Sequence, residues 1–277
     1  MTQTNEAAFE SAIESHLLTN GYTAIDKQTF DPQRAVFPDV ALSFIRETQF
    51  KEWAKLEALH ADKTGDVVLA DLCKWLDTYG CLAVLRNGFK CYGRTLRIAF
   101  FKAAHRLNPE LEARYAANRL GITRQLRYSS RNANELDLVV SVNGIPIATA
   151  ELKNPMTGQT VANAMHQYKQ DRDHRELLFE FKKRALVHFA VDTEAVFMTT
   201  RLAGGATHFL PFNKGNNNGA GNPPDPRGLS YRTAYLWEEV LQRDSLLDLL
   251  ARFINLQAED IRTVLFHHFQ GVDRVAE

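Results

Sequence analysis

Charge of one sign is not in excess in this 277-residue sequence, which has 33 basic and 33 acidic side chains. A balanced chain has no overall field that would attract nucleic acid or an acidic surface, so binding of that kind must rest on local sites. Long apolar stretches are also absent, because no run reaches the roughly eighteen residues that a membrane-spanning helix needs. The sequence therefore predicts no membrane span.

Cysteine is scarce, and Cys73, Cys81 and Cys91 are not arranged in the CxxC spacing of a zinc or redox site. They indicate reduced thiols in a cytoplasmic protein and exclude a disulfide framework. The start, MTQTNEAAFE, has no basic stretch followed by an apolar one, so no signal peptide is expected. The pattern Gly-x-x-x-x-Gly-Lys-Ser/Thr is also missing, so we expect no ATP site within this chain.

The periodicity of the apolar residues predicts an α/β fold with a mixed sheet flanked by helices. Helical spacing dominates residues 38–80, which we interpret as a helical insertion, and it recurs over 157–184. The segment NKGNNNGAGNPPDPRG, residues 213–228, is rich in Asn, Gly and Pro. Such a composition buries little surface, so we expect a flexible loop there.

The stretch ELDLVVSVNGIPIATAELKNP, residues 135–155, consists of two apolar runs joined by Asn-Gly, which is typical of a β-hairpin. Asp137 lies near the start of the first run, and Glu151 and Lys153 lie at the end of the second. A strict two-residue turn would direct Asp137 and Glu151 to opposite faces. A three-residue loop or a β-bulge would direct them to the same face. Pro146, which cannot donate a hydrogen bond, fits a disturbed strand.

If the two carboxylates converge, they form a hard-oxygen site that suits Mg²⁺. An ammonium group beside them can stabilise developing negative charge on a phosphoryl group. The pattern Asp-x(13)-Glu-x-Lys on a hairpin is the sequence form of a metal-dependent phosphodiesterase site of the PD-(D/E)xK type. Glu-x-Lys alone is common, however, and is more often a pair of solvated strand residues.

The wider sequence resembles the N-terminal region of the R (restriction) subunit of type I restriction-modification enzymes. The resemblance covers most of residues 6–256 and is carried by AFESAIESHLLTNGY, YAANRLGITRQL, LDLVVSVNGIPIATAELKNPMTGQTVANA, VFMTTRLAGGATHFLPFNKG and YRTAYLWEEVLQRDSLLDLLARFI, among other stretches. It implies a nuclease domain of the PD-(D/E)xK type over residues 1–256. Residues 257–277 would then be a linker toward a translocase domain, which uses ATP in the full-length subunit.

The resemblance implies Mg²⁺-dependent cleavage of duplex DNA, with the methyltransferase (M) and specificity (S) subunits as partners. The catalytic positions that match are Asp137, Glu151 and Lys153, with Asp137 and Glu151 as metal ligands. Glu10, on the predicted first helix, is a further candidate ligand, although Glu6 and Glu14 compete with it and a solvated helix face is the commoner role. A catalytically silent assembly or DNA-docking module is the alternative function.

Candidate DNA contacts come from two places in the chain. Many R subunits carry Gln-x-x-x-Tyr on the helix after the lysine strand, whereas here Gln167 and Tyr168 are adjacent, so only one of them can occupy its family position. Arg124 and Arg127 belong to a basic run next to the hairpin, and we consider them as phosphate contacts. Ordinary surface charge is the alternative for both arginines.

Overall fold

The computed structural model describes residues 6–102, 108–217, 219–228, 230–256 and 261–263. The helices are α1 (Glu6–Thr19), α2 (Pro38–Thr48), α3 (Phe50–His60), α4 (Thr64–Tyr79), α5 (Cys81–Asn87), α6 (Pro109–Ala116), α7 (Val161–Gln170) and α8 (Arg243–Asp248). The strands are β1 (Tyr22–Ala24), β2 (Phe89–Cys91), β3 (Arg94–Leu96), β4 (Leu120–Arg127), β5 (Glu135–Val142), β6 (Ile145–Leu152), β7 (Val187–Val191), β8 (Val196–Thr199), β9 (Leu210–Pro211), β10 (Ile254–Leu256) and β11 (Ile261–Thr263).

A seven-stranded mixed sheet with the order β1-β4-β5-β6-β7-β8-β9 forms the centre of the described chain. Its middle strands β4, β5 and β6 are antiparallel, while β6 pairs in parallel with β7. Parallel neighbours need a crossover connection, and α7 lies in the segment that joins β6 to β7. The mixed α/β architecture with flanking helices that the sequence predicts is therefore confirmed.

Helix α1 packs on one face of the sheet because its apolar residues recur every four positions. Phe9, Ile13 and Leu17 are 0%, 3% and 1% exposed and belong to the main core. Burial of each such side chain contributes about 1.5–3 kcal/mol relative to leaving it in water. The helix ends at Thr19, and Gly21 turns the chain with a φ of 92°. The packing fixes which residues of α1 can reach the end of the hairpin.

The segment 38–80, which we expected to be a helical insertion, contains α2, α3 and α4. It is joined to the hairpin by a hydrogen bond of 2.8 Å from the backbone N–H of Phe37 to the carbonyl of Gly144. A side chain at position 144 would collide with this segment, since a Cβ there would lie 2.6 Å from the Phe37 carbonyl oxygen. That the segment is an insertion into the domain stays a prediction.

The loop over residues 213–228 is closed at its base by Asn222, which is 2% exposed. Its side chain accepts a hydrogen bond from the Lys214 N–H at 2.8 Å and donates to the Glu194 carbonyl at 3.0 Å and to Asn213 Oδ1 at 2.8 Å. Flexibility of the rest of the loop stays a prediction. The expected linker, residues 257–277, falls outside the described residues except for β11, which pairs with β10.

Helix α7 is shorter than the sequence suggests. We expected helix over 157–184, but α7 ends at Gln170 and the following residues form a series of turns. Arg172 follows the end of the helix, and its buried side chain bonds Glu151 on β6 instead of lying on a solvated helix face. Within the described residues, no helix has the length and apolar character required to span a bilayer.

Candidate active site

The hairpin of β5 and β6 contains both a two-residue turn and a β-bulge. Asn143 and Gly144 form the turn with φ values of 49° and 84°. The register shifts by one residue just beyond Pro146, and Ile147 is the extra residue on β6. Pro146 has no N–H to donate, so a regular ladder could not continue through it unchanged. Of the arrangements that the sequence left open, the bulge is the one that forms.

The bulge brings the acidic residues to the same face of the sheet. Beyond it, Leu138 pairs with Ala150, so Asp137 lies opposite Glu151 at the outer end of the hairpin. Lys153 follows two residues later, with its N–H bonded to the carbonyl of Val191 in β7. Since side chains two residues apart in a strand share a face, Glu151 and Lys153 also point the same way.

Glu151 is completely buried, and only one of its two carboxylate oxygens has a hydrogen-bond partner among the described residues. Its Oε1 accepts a hydrogen bond of 2.6 Å from Arg172 Nε. Its Oε2 has no hydrogen-bond partner among the described residues. Burial, with repulsion from Asp137 adding to it, raises the pKa of Glu151 to about 8, although Arg172 acts in the opposite direction. A buried carboxylate oxygen without a partner is costly, which points to a ligand that would satisfy it.

Asp137 is 7% exposed and is held by the backbone of the neighbouring strand. Its Oδ2 accepts a hydrogen bond of 2.7 Å from the Leu152 N–H, and its Oδ1 lies 3.4 Å from Gln125 Nε2. The first contact fixes the carboxylate at the end of β6 beside Glu151. It also uses one lone pair of Oδ2, so the remaining lone pairs of Asp137 are those available to a cation.

The Lys153 ammonium lies beside Asp137, and we call Glu6, Glu10, Asp137 and Glu151, the carboxylates around it, the acidic cluster. Its Nζ donates to Glu6 Oε1 at 3.1 Å and to its neighbour's carbonyl, Leu152 O, at 2.8 Å. The distance from Nζ to Asp137 Oδ2 is 3.9 Å. Lys153 is 5% exposed, so these contacts compensate a charge that is largely removed from water.

Helix α1 adds two further carboxylates to the cluster. Oxygen atoms of Glu6, Glu10 and Asp137 lie within 4.8 Å of one another and could together hold a metal ion. Burial raises the pKa of Glu10, and Asp137 and Glu6 raise it further, whereas Arg124 lowers it. Glu14, the other competitor on α1, lies apart from this group and pairs with Arg124.

These residues fit a hard divalent cation such as Mg²⁺, because every candidate ligand is a carboxylate oxygen and one of them, Glu151 Oε2, lacks a partner. The carboxylates that lie together are not the two that the sequence predicted as metal ligands, Asp137 and Glu151. Glu6 and Glu10 lie with Asp137, whereas Glu151 is not one of these three residues and is paired with Arg172. Glu6 was considered in the sequence only as a competitor of Glu10, because helical spacing does not tell which of them faces the sheet.

The two arginines considered as DNA contacts are both paired with acidic side chains. Arg124 binds Glu10 at 2.8 Å and Glu14 at 2.9 Å, and its side chain is 27% exposed. Arg127 binds Glu135 at 3.0 Å but keeps 67% of its side chain exposed. Arg124 therefore joins β4 to two carboxylates of α1, whereas Arg127 retains enough free surface for a phosphate contact.

Tyr168 requires a correction, because the structure leaves it no exposed surface with which to contact DNA. Its hydroxyl group forms a hydrogen bond of 2.7 Å with Thr149 Oγ1 beneath α7, and Thr149 also bonds His188 Nδ1 at 2.8 Å. We therefore assign Tyr168 a packing role. Its neighbour Gln167 is partly buried, and its Oε1 has no hydrogen-bond partner in the described chain.

Arg172 is the functional candidate that sequence reasoning missed. It belongs to the segment QYKQDRDHR, where alternating acids and bases suggested a solvated helix with ion pairs. The structure instead buries its guanidinium against Glu151. The sequence offers one signal, that the helix could end early at Asp171. This signal is too weak to identify one arginine among several.

Residues 3–207 match the protein family described as the type I restriction enzyme R protein N terminus. The chain belongs to this family. The match includes α1, the whole β5–β6 hairpin and α7, so all the residues of the acidic cluster lie within it. The mixed sheet with flanking helices is the nuclease-type fold that the resemblance implied. A comparison with curated proteins found no match.

Proposed function

We propose that this chain is the Mg²⁺-dependent endonuclease domain of a type I restriction enzyme R subunit and hydrolyses phosphodiester bonds of duplex DNA. The observation that supports this most directly is the β-bulge after Pro146, which brings Asp137, Glu151 and Lys153 to one face of the sheet. A regular hairpin would have separated the two carboxylates. The family match over residues 3–207 supports the same function independently.

In this proposal Asp137 and Glu151 hold the metal ion, with Glu10 and Glu6 as further ligands. A bound Mg²⁺ would supply positive charge for the phosphoryl oxygens and a lowered pKa for an attacking water. Lys153 donates hydrogen bonds to the scissile phosphate once DNA replaces its contact with Glu6. Because the Lys153 ammonium is little exposed, its charge is weakly screened and stabilises the developing negative charge strongly.

The partners that follow from this proposal are duplex DNA and the M and S subunits of a restriction complex. ATP would be used by translocase domains elsewhere in the subunit, and the cytoplasm, where DNA and reduced thiols coexist, is the proposed location. Arg127, with most of its side chain in solvent, is our candidate for a phosphate contact. Gln167 is a second candidate, because its Oε1 is without a partner in the described chain.

The second candidate function is a catalytically silent assembly or DNA-docking module. One observation favours it, namely that the catalytic candidates are engaged in ion pairs, Glu151 with Arg172 at 2.6 Å and Lys153 with Glu6 at 3.1 Å and with Asp137 at 3.9 Å. A silent module could retain such pairs permanently. An active nuclease has to exchange the Lys153 pair when DNA and metal bind.

The test is nicking of a supercoiled plasmid by the chain, with Mg²⁺ or with EDTA, and in the complete complex with M, S and ATP. We expect Mg²⁺-dependent nicking by the wild type and none by Asp137→Ala. Lys55→Ala serves as a control because this lysine lies on α3 and is 55% exposed. DNA binding without Mg²⁺-dependent cleavage in either setting would favour the silent module.

A further inference from the structure

Arg172 lies where the chain leaves α7 and turns back toward the catalytic end of the hairpin. Only 5% of its surface is exposed. Removing a guanidinium from water is expensive unless it is paired and hydrogen-bonded, so a buried arginine requires specific partners. Among the described residues, the guanidinium of Arg172 contacts Glu151 on β6, Glu135 on β5 and Tyr128 in the segment directly before β5.

Three contacts restrain the guanidinium plane. Nε donates to Glu151 Oε1 on β6 at 2.6 Å, and Nη2 donates to the backbone carbonyl of Glu135 on β5 at 2.7 Å. The face of the Tyr128 ring lies below it, with 5.8 Å between the guanidinium carbon and the ring centroid. Arg172 thus connects the two catalytic strands at the end where Asp137 and Glu151 lie.

The consequence for Glu151 is that one carboxylate oxygen is occupied and the other is left free. Oε1 is fixed by Arg172, which sets the rotation of the carboxylate, while Oε2 has no hydrogen-bond partner among the described residues. Because Arg172 fixes the rotation of the carboxylate, Glu151 can offer a metal ion only Oε2, and only in one direction. Outer partners of metal ligands commonly act like this, by orienting the ligand before the metal binds.

We propose that Arg172 is a positioning residue that orients Glu151 Oε2 toward the acidic cluster for metal binding. The inference rests on the proposed function, since it concerns the same site. Arg172 touches neither DNA nor metal in this scheme and acts only through Glu151. In the opposite role, the Arg172 cation would compete with the metal for Glu151. Removing Arg172 would then strengthen Mg²⁺ binding, whereas removing a positioning residue would weaken it.

The experiment is a calorimetric titration of Mg²⁺ into the 277-residue chain without DNA, comparing the wild type with Arg172→Ala and Arg172→Lys. Loss of an orienting partner is expected to weaken Mg²⁺ binding by about 10- to 100-fold. Lysine keeps the charge but cannot reach Glu151 and the Glu135 carbonyl together through a rigid fork, so we expect a loss of about 10-fold. Arg175→Ala is the matched control, because this arginine is 76% exposed and pairs with Asp173.

A second readout separates positioning from a structural role. Guanidinium ion, at a concentration well below that which denatures proteins, is expected to restore part of the Mg²⁺ affinity of Arg172→Ala and to leave the Arg175→Ala control unchanged. Metal-free thermal unfolding of each variant is recorded alongside. If Arg172→Ala does not fold, the Arg172→Lys variant decides the question by itself.

Three results for the Arg172 variants would overturn the proposal, and a fourth, for the wild type, would overturn the proposed function with it. Unchanged or tighter Mg²⁺ binding by Arg172→Ala would indicate no role or a competing cation, and wild-type affinity in Arg172→Lys would indicate that charge alone matters. Weaker binding that guanidinium does not restore would indicate a structural role. A wild-type chain that binds no Mg²⁺ would overturn the proposed function together with this inference, whereas the other results concern Arg172 alone.

Discussion

Neutralising Glu151 is expected to stabilise the metal-free protein by an amount that grows with pH. Burial, with repulsion from Asp137 adding to it, raises the pKa of Glu151 to about 8 from the ordinary value of 4.5. A carboxyl group whose pKa is raised by folding binds its proton more tightly in the folded state. The free energy of unfolding therefore falls as pH rises from about 4.5 to about 8.

The size of this effect follows from the pKa. Each pH unit between the two values costs the folded state about 1.4 kcal/mol, so the loss above pH 8 is at most about 5 kcal/mol. Glu151→Gln keeps the shape and an oxygen that accepts from Arg172, but it does not ionise. Its advantage over the wild type should be near zero at pH 4.5, about 2 kcal/mol at pH 6 and about 4 kcal/mol at pH 7.5.

The assay is urea unfolding in EDTA at a series of pH values from about 5 to 8.5, comparing the wild type with Glu151→Gln. Glu57→Gln is the control, since this residue is exposed on α3 and should show the wild-type pH dependence. The reasoning is refuted if the difference in unfolding free energy between wild type and Glu151→Gln stays constant over the whole range.

The other predictions concern Lys153, the metal and Tyr168. Lys153→Ala should abolish DNA cleavage but retain the fold and Mg²⁺ binding, because Lys153 is not a ligand; a plasmid assay with full wild-type activity would contradict this. Mg²⁺ at a hundredfold excess over its dissociation constant should stabilise the wild type by about 2.7 kcal/mol, measured as a thermal shift. Asp137→Ala should remove most of that gain, so an equal Mg²⁺ shift in both proteins would refute the assignment. Tyr168→Phe should cost about 1 kcal/mol in urea unfolding, because Thr149 loses a partner, and should leave DNA affinity unchanged; a clear loss of affinity in a filter-binding assay would restore a DNA role.

The hairpin could be predicted closely from the sequence because its signals are local. Alternating apolar residues define the strands, Asn143-Gly144 defines the turn, and Pro146 identifies the strand position where the ladder is disturbed. Counting residues left the convergence of Asp137 and Glu151 open, because the two-residue turn alone would separate them and only the bulge brings them to one face. All these signals lie within 21 consecutive residues, from 135 to 155.

The contribution of α1 could not be predicted to the same precision, because it depends on tertiary packing. Glu6, Glu10 and Glu14 repeat every four residues, so all three lie along one side of the helix. Only the position of α1 against the sheet determines that Glu6 and Glu10 reach Asp137 while Glu14 pairs with Arg124. Nothing in the spacing distinguishes them.

Arg172 could not be predicted because its burial contradicts the usual preference of arginine for the surface. Charged residues after α7 are normally expected to be solvated, and most of those between 169 and 184 carry opposite charges nearby in the sequence. The compensating group, Glu151, lies 21 residues earlier in the chain. An ion pair between residues so far apart in the sequence can be recognised only in the folded structure, where α7 packs against the sheet.

The bulge at Ile147 divides the hairpin into two halves of opposite parity. Between the turn and Ile147 the side chains alternate in one phase, and beyond it they alternate in the other. This one residue therefore decides which set of β6 side chains lies on the same face as Asp137. Deleting Ile147 would leave a hairpin with its turn and strands intact. It would also exchange the two faces of its outer half, sending Glu151 toward the apolar core and Ala150 and Leu152 toward the acidic cluster. In an ordinary strand a one-residue deletion mainly disturbs packing. Here it would at once take the Glu151 carboxylate away from Asp137 and expose the apolar side chains of the outer half.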